Sequence, residues 1–182
     1  MCMSEYSVVS SQVIFEHARA RILVDRVEHD GVLHTHFYLV SPVEAVATVG
    51  VTSEGQIILT RQYRHPVGQV IYDLPAGHLE PGEPPLEGAR REFEEETGYY
   101  PGHIEPLGYY NQFPGTLRAG THLFFASKLM PTRQKLDEGE ELALVFMTVK
   151  AVLEMILNGE IIDGSLQLGV LLALQKGLIA AI

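Results

Sequence analysis

The chain has 182 residues, of which 23 are acidic and 13 basic, for a formal net charge of −10; that balance excludes a nucleic-acid-coating surface, because phosphate backbones demand basic stripes. It leaves open a small phosphorylated ligand, whose charge metal ions and a few arginines can meet, and the length suits one domain with room for a small appendage. Cys2 is the only cysteine, so no disulfide can form within the chain and a reducing cytoplasm is the expected setting.

Along the chain, Met1 to Ser7 lack the basic region and apolar run of a signal peptide. Residues 19–28 alternate weakly, His29-Asp30-Gly31 supplies turn chemistry, and residues 32–40 continue as a partner strand. Ser41-Pro42 follows as a boundary between an N-terminal β segment, 1–41, and a main domain, 42–182. Residues 45–52 and 56–63 read as a second hairpin around Ser53-Glu54-Gly55, and 70–74 as a short strand. Beyond Gly98, residues 104–112, 121–129 and 143–149 read as strands, 149–157 as a helix closed by Gly159, and 165–176 as another helix. The apolar tail from Leu166 is interrupted by Gln167, Gln175 and Lys176, so it is too short and too polar to span a bilayer, and no membrane partner is expected. Strands interleaved with helices predict a mixed sheet covered by helices, an α/β sandwich, preceded by an N-terminal antiparallel hairpin. An isolated hairpin is marginal in water unless it packs on something, which motivates the expectation of a homodimer built partly on that segment.

Residues 77–99 carry the densest chemistry: a loop containing Gly77 and Glu83, then a helix carrying Arg91, Glu92, Glu95 and Glu96, with Gly98 as its stop. Each helical residue advances about 100°, so Glu96 lies roughly 40° to one side of Glu92 and Glu95 roughly 60° to the other. Leu86, Ala89, Phe93 and Thr97 share an adjacent face, where a core would hold the helix, while Glu94 points away. Clustered carboxylates repel one another, and a hard divalent cation such as Mg²⁺ removes that cost, usually together with a substrate's phosphate oxygens. Taken alone, Arg-Glu-Phe-Glu-Glu-Glu is equally well a solvated helix face. The loop before it changes that balance.

The segment resembles the Nudix box, G-x5-E-x7-R-E-U-x-E-E-x-G-U with U a bulky aliphatic. Gly77, Glu83, Arg91, Glu92, Phe93, Glu95, Glu96, Gly98 and Tyr99 occupy its positions, with Phe93 and Tyr99 standing where the pattern prefers aliphatics. The strictly specified residues would coincide by chance with a probability on the order of one in a million. The resemblance implies a Nudix-type α/β/α sandwich and a pyrophosphohydrolase. By the same resemblance the metal is held by Glu92, Glu95, Glu96 and the carbonyl of Ala76, with Mg²⁺ as the cofactor and Mn²⁺ as a substitute. Arg91 stands four residues before Glu95, where an ion pair can orient that carboxylate, and Glu83 is expected to brace the loop against the helix.

Further segments look like ADP-ribose pyrophosphatases within that family: Arg61-Gln62-Tyr63-Arg64-His65-Pro66, Leu74-Pro75-Ala76-Gly77, Pro114, and the acidic loop Asp137-Glu138-Gly139-Glu140-Glu141. The resemblance places the general base in that loop, where Glu140 aligns best and Glu138 and Glu141 are rivals. Arg64 is the expected contact to the distal phosphate or ribose, because a guanidinium can donate two parallel bonds to phosphate oxygens; Arg61, Asp73 and Pro114 complete the expected substrate-binding set. The implied substrate is a small nucleoside diphosphate sugar, first ADP-ribose, cleaved to AMP and ribose 5-phosphate. The alternatives are another nucleotide sugar of the GDP-mannose type, or a Nudix-like sensor that binds ADP-ribose without turnover. Isopentenyl diphosphate isomerase shares the fold but needs a cysteine in the core, for which Cys2 is poorly placed.

Overall fold

The structure, a computed structural model, describes residues 5–181, and Cys2 lies outside them. The chain divides into two compact units, Met1–Glu44 with Asn111–Gly120, and Ala45–Tyr110 with Thr121–Ile182.

The first unit is a four-stranded sheet in the order β1-β2-β3-β9. It comprises β1 (Ser7–His17), β2 (Ala20–His29), β3 (Val32–Val40) and the short β9 (Leu117–Arg118). The β2–β3 hairpin is the one read from the sequence, with Asp30 and Gly31 both at positive φ in its turn, as a tight hairpin of this kind requires. Strand β1 was not anticipated. Many of the sheet's apolar side chains are exposed, including Val8, Val13, Phe15, Leu33 and Phe37.

The second unit holds a mixed sheet in the order β11-β5-β4-β10-β8, with β6 pairing β5 and β7 pairing β4. Its strands are β4 (Ala45–Val51), β5 (Gln56–Arg64), β6 (Gln69–Asp73), β7 (Ala76–His78), β8 (Tyr99–Asn111), β10 (Gly120–Pro131) and β11 (Leu142–Thr148). Strand β10 runs parallel to β4, and β11 and β5 pair antiparallel. Three helices complete the unit: α1 (Pro85–Thr97), α2 (Val149–Leu157) and α3 (Gly164–Gln175).

Alternation along the central strands sorts their side chains to two faces. Val46, Ile58, Phe124 and Ala126 pack with Ala89 and Phe93 of α1. Ala47, Val49, Ile57, Leu59, Leu123 and Phe125 form one cluster with Val149 and Val152 of α2 and Leu166, Val170 and Ala173 of α3. The sheet is thus covered on both faces, which is why β4 and β5 read as nearly continuous apolar runs. This is the expected α/β/α sandwich. Close approach is bought by glycine at two points: a Cβ on Gly50 would overlap the Phe93 ring, and one on Gly169 would crowd Val49 and Leu74.

Helix α1 departs from its expected face at one position. Ala89, Phe93 and Thr97 are buried, but Leu86 is 37% exposed, and Gly88 and Glu96 are buried instead. Leu86 sits in the first turn, before the helix settles onto the sheet. Gly98 ends α1 in the left-handed region at φ 70°, with its N–H bonded to the Glu94 carbonyl, as its placement after the box predicts. Among the described residues no helix is long and apolar enough to cross a membrane.

Candidate active site

Strand β7 and helix α1 hold the loop between them in register with the box. Arg91 is the hub. Its Nε and Nη2 donate to the two carboxylate oxygens of Glu83 at 2.9 and 2.8 Å. Its Nη1 donates to Glu92 at 2.8 Å and Glu95 at 3.1 Å, and Nη2 also reaches the His78 carbonyl at 3.1 Å. A guanidinium has five N–H donors, so this one is fully spent inside the protein. Glu83 in turn accepts from the Glu80 N–H, and the Arg91 bonds hold its carboxyl below the usual range. The Glu83 bond first, and then Glu92, hold the Arg91 guanidinium above its ordinary value against the opposing effect of its own burial. Arg91 and Glu83 are therefore a brace that sets the loop and two glutamates, as expected for both.

Glu96 is only 6% exposed and accepts the Ala76 N–H at 2.8 Å. Desolvation pushes its carboxyl up to about 8, opposed by the Ala76 bond and reinforced by the charges of Glu92 and Glu140. Glu92 is raised for the same first reason, opposed by Arg91 and reinforced by Glu95 and Glu140. A Cβ on Gly77 would overlap the Glu92 carboxylate, so only glycine leaves this group room beside β7.

A buried and a half-buried carboxylate, both raised first by desolvation and then by neighbouring glutamate charges, suit a hard divalent cation. Among the described residues no three acidic, histidine or cysteine side chains converge as a ready-made metal cage. A hard divalent cation held by one or two carboxylates together with waters and substrate oxygens needs no such cage. Glu92, Glu96 and the Ala76 carbonyl have the chemistry to hold it. Glu95 is half-exposed and tied to Arg91.

The segment leading into the acidic loop is fastened to the end of α1. Lys135 N–H donates to the Glu95 carbonyl, Gln134 Nε2 to the Glu96 carbonyl, and Thr132 N–H to the Gly98 carbonyl. These bonds satisfy carbonyls that a helix C-terminus leaves open. Of the three rival glutamates, Glu140 alone is among the charges that raise Glu92 and Glu96. Its own carboxylate accepts the Asp137 N–H at 3.2 Å, closing the loop's turn.

Arg64 and Asp73 meet across the β5–β6 hairpin, with Nε donating to Oδ2 at 2.6 Å. Asp73 is 4% exposed; desolvation raises its carboxyl, chiefly against the pull of Arg64. Arg61 pairs opposite Tyr72, so alternation puts it on the other face of β5; the structure does not bring it to Asp73. Pro114 belongs to the first unit, where it lines a cavity of about 490 Å³ with Asp25, Tyr38 and Arg118 among others.

Asp163 escaped the sequence reading. It is the N-cap of α3, accepting the Leu166 N–H at 2.7 Å, and an Asp just before an apolar helical run is a signal that could have found it. Burial pushes its carboxyl up to about 6, reinforced by Asp73 and opposed by the Leu166 bond and Arg64. A carboxyl raised on folding favours the folded state below its unfolded pKa and loses that advantage as pH rises through its folded one. Asp163→Asn keeps a good N-cap acceptor, so the variant is expected to melt above the native protein at pH 8, by on the order of 1 kcal/mol. At pH 5 the difference should shrink, and a variant less stable than native at pH 8 contradicts the assignment.

Residues 41–165 match the NUDIX domain family, and the chain belongs to that family. It is a Nudix hydrolase. It is similar to the ADP-ribose pyrophosphatase of Bacillus subtilis (strain 168), 32% identical over 161 residues and 87% of each chain. It is likewise similar to the methanol dehydrogenase activator of Bacillus methanolicus, 33% identical over 177 residues and 96% of each chain. The ADP-ribose pyrophosphatase of Mycobacterium tuberculosis is 28% identical over 174 residues, 94% of this chain and 84% of the relative. The fold matches a solved structure described as an ADP compounds hydrolase with a TM-score of 0.89, 19% identity and full coverage of both chains.

Proposed function

We propose that the protein hydrolyses the pyrophosphate of nucleoside diphosphate sugars with Mg²⁺, ADP-ribose first among them, giving AMP and ribose 5-phosphate. The observation that carries this reading is the carboxylate pair of buried Glu96 and half-buried Glu92, set beside the Ala76 strand, with the charge of Glu140 acting on both. Glu92, Glu96, Glu95 and the Ala76 carbonyl are the metal set, with Mn²⁺ as a substitute. A divalent cation held by these residues would neutralise charge on the pyrophosphate and supply Lewis acidity to an attacking water. Glu140 takes the proton from that water as it adds to phosphorus, in line with the departing phosphate oxygen. Arg91 keeps Glu92 and Glu95 aimed, and Arg64 offers its terminal nitrogens to a phosphate or ribose oxygen. The names of two relatives support ADP-ribose as the substrate. Turnover measured across ADP-ribose, GDP-mannose and other nucleoside diphosphate sugars tests the choice, with ADP-ribose expected to give the highest kcat/KM. A higher value for GDP-mannose contradicts it.

A second reading rests on the relative named as an activator of another enzyme: the chain acts on a dehydrogenase. If that effect survives in a Glu96→Gln variant without hydrolytic activity, regulation is separate from turnover.

The exposed apolar residues of β1 and β3 support a homodimer through the N-terminal β segment, 1–41, set apart from the hydrolase domain, 42–182. A cytoplasmic enzyme with a single cysteine fits the same picture. Sedimentation equilibrium at micromolar concentration is expected to give twice the 20.2 kDa chain mass. A monomer, or a chain lacking residues 1–40 that still dimerises, contradicts it.

A further inference from the structure

Arg64 and Asp73 stand nine residues apart at the two ends of the β5–β6 hairpin, and only one guanidinium nitrogen is used between them. The acid is 5% exposed at its side chain and the arginine 42%. Asp73 Oδ1 has no hydrogen-bond partner in the structure, although the Gln62 side chain nearby favours the charged form. Among the described residues neither terminal nitrogen of Arg64 has a partner. The contrast with Arg91, whose donors are all spent on protein groups, is a contrast of purpose. One arginine is consumed by the scaffold; the other is gripped from behind and left open in front.

The field of Arg64 reaches Glu96 and Asp163 as well as Asp73. Its charge thus acts on one of the carboxylates assigned to the metal, Glu96. We infer that Asp73 is a positioning residue rather than a substrate contact: its buried carboxylate holds Nε of Arg64, so that Nη1 and Nη2 face the ligand as a preset fork for two oxygens of a phosphate or a ribose. This rests on the reading of Arg64 as a substrate contact given above.

Three physical points lead there. Separating a buried carboxylate from its arginine leaves a buried charge uncompensated, so the pair is held together. Binding through Nε leaves the terminal pair free in the arrangement that matches two oxygens side by side. Freezing the side chain before the ligand arrives removes an ordering cost from binding, and it lowers KM without touching the reacting phosphorus. Asp163, capping α3, adds negative field at the same place and has no bond to the guanidinium, so Asp73 alone sets its direction.

The test is a double-mutant cycle on steady-state kinetics, using the full chain, Mg²⁺ and the nucleoside diphosphate sugar turned over best. Arg64→Lys keeps the charge and loses the fork; Asp73→Asn keeps the size and loses the buried charge. Each single variant is expected to raise KM by about tenfold with kcat within about twofold of native. In the Arg64→Lys background, Asp73→Asn should change KM by less than about twofold, because its effect passes through a fork already gone. Thermal melts confirm that each variant is folded, and Asp73→Ser serves in the same cycle if Asp73→Asn is not. An unchanged KM for the folded Asp73 variant, an equal factor in both backgrounds, or a fall in kcat alone overturns the positioning role. If Arg64→Lys itself leaves KM unchanged, the substrate contact at Arg64 is wrong and the positioning role falls with it. That outcome is distinct from a sensitive Arg64 with an indifferent Asp73.

Discussion

Glu96→Gln is expected to lower kcat by roughly 10²–10³-fold while the fold survives. Glutamine keeps an oxygen for the Ala76 N–H that Glu96 now accepts at 2.8 Å, but it cannot supply a charged ligand. The same change should not weaken the protein in chelator. With its folded pKa raised to about 8, above the unfolded carboxyl value of about 4.3, Glu96 favours folding only when protonated. That contribution is lost as pH rises through about 8, so at pH 8 without metal the Gln variant should melt no lower than native. Stability held or raised with activity lost is the signature of a group kept for chemistry. Glu94→Gln is the control: Glu94 sits on the same helix, two residues before Glu96, and its side chain makes no ion pair among the described residues, so its removal should be nearly silent. Near-normal Mg²⁺-supported turnover by Glu96→Gln contradicts the metal site; equal losses at Glu94 and Glu96 would mean a generally acidic helix.

Glu140→Gln is expected to reduce kcat by about 10²–10⁴-fold with KM changed only a few-fold. A base acts on the attacking water in the transition state and does little for ground-state binding. Two observations favour Glu140 over its neighbours. Its charge reaches both Glu92 and Glu96, and the segment just before its loop is bonded to the Glu95 and Glu96 carbonyls, so the loop is rooted in the helix it serves. Glu138→Gln and Glu141→Gln should be mild. A larger loss at either, with Glu140 indifferent, moves the role along the loop. No loss at any of the three places the base elsewhere.

The box was legible because its chemistry demands fixed spacing: Arg91, Glu83 and the glutamates meet as the sequence pattern requires, and Gly98 ends the helix where a left-handed residue was called for. The β2–β3 hairpin and the central strands were legible because turn residues and apolar runs are local signals. Strand β1 was not, since its pairing with β2 shifts register between Val8 and Ser10 and between Val13 and Phe15, and each irregularity breaks the period of two on which reading a strand depends. Strand β8 was read as beginning at residue 104 but starts at Tyr99; Pro101 and Gly102 disguise it, and a proline is tolerated there because β8 lies at the sheet's edge. The three residues of β7 are too few to carry a pattern. Arg64 was named from its motif, but its bond to Asp73 depends on how two strands pair, and no spacing rule states that. Asp163 joins them through α3, almost a hundred residues later in the chain, which only the packed structure brings near.

The most direct measurement is the rate of ADP-ribose hydrolysis before chelation, in excess EDTA, and after Mg²⁺ is restored, with the products separated and quantified. Equal amounts of AMP and ribose 5-phosphate, lost in EDTA and recovered with Mg²⁺, are the predicted result; turnover indifferent to the chelator, or no cleavage of the pyrophosphate in ADP-ribose, would contradict it.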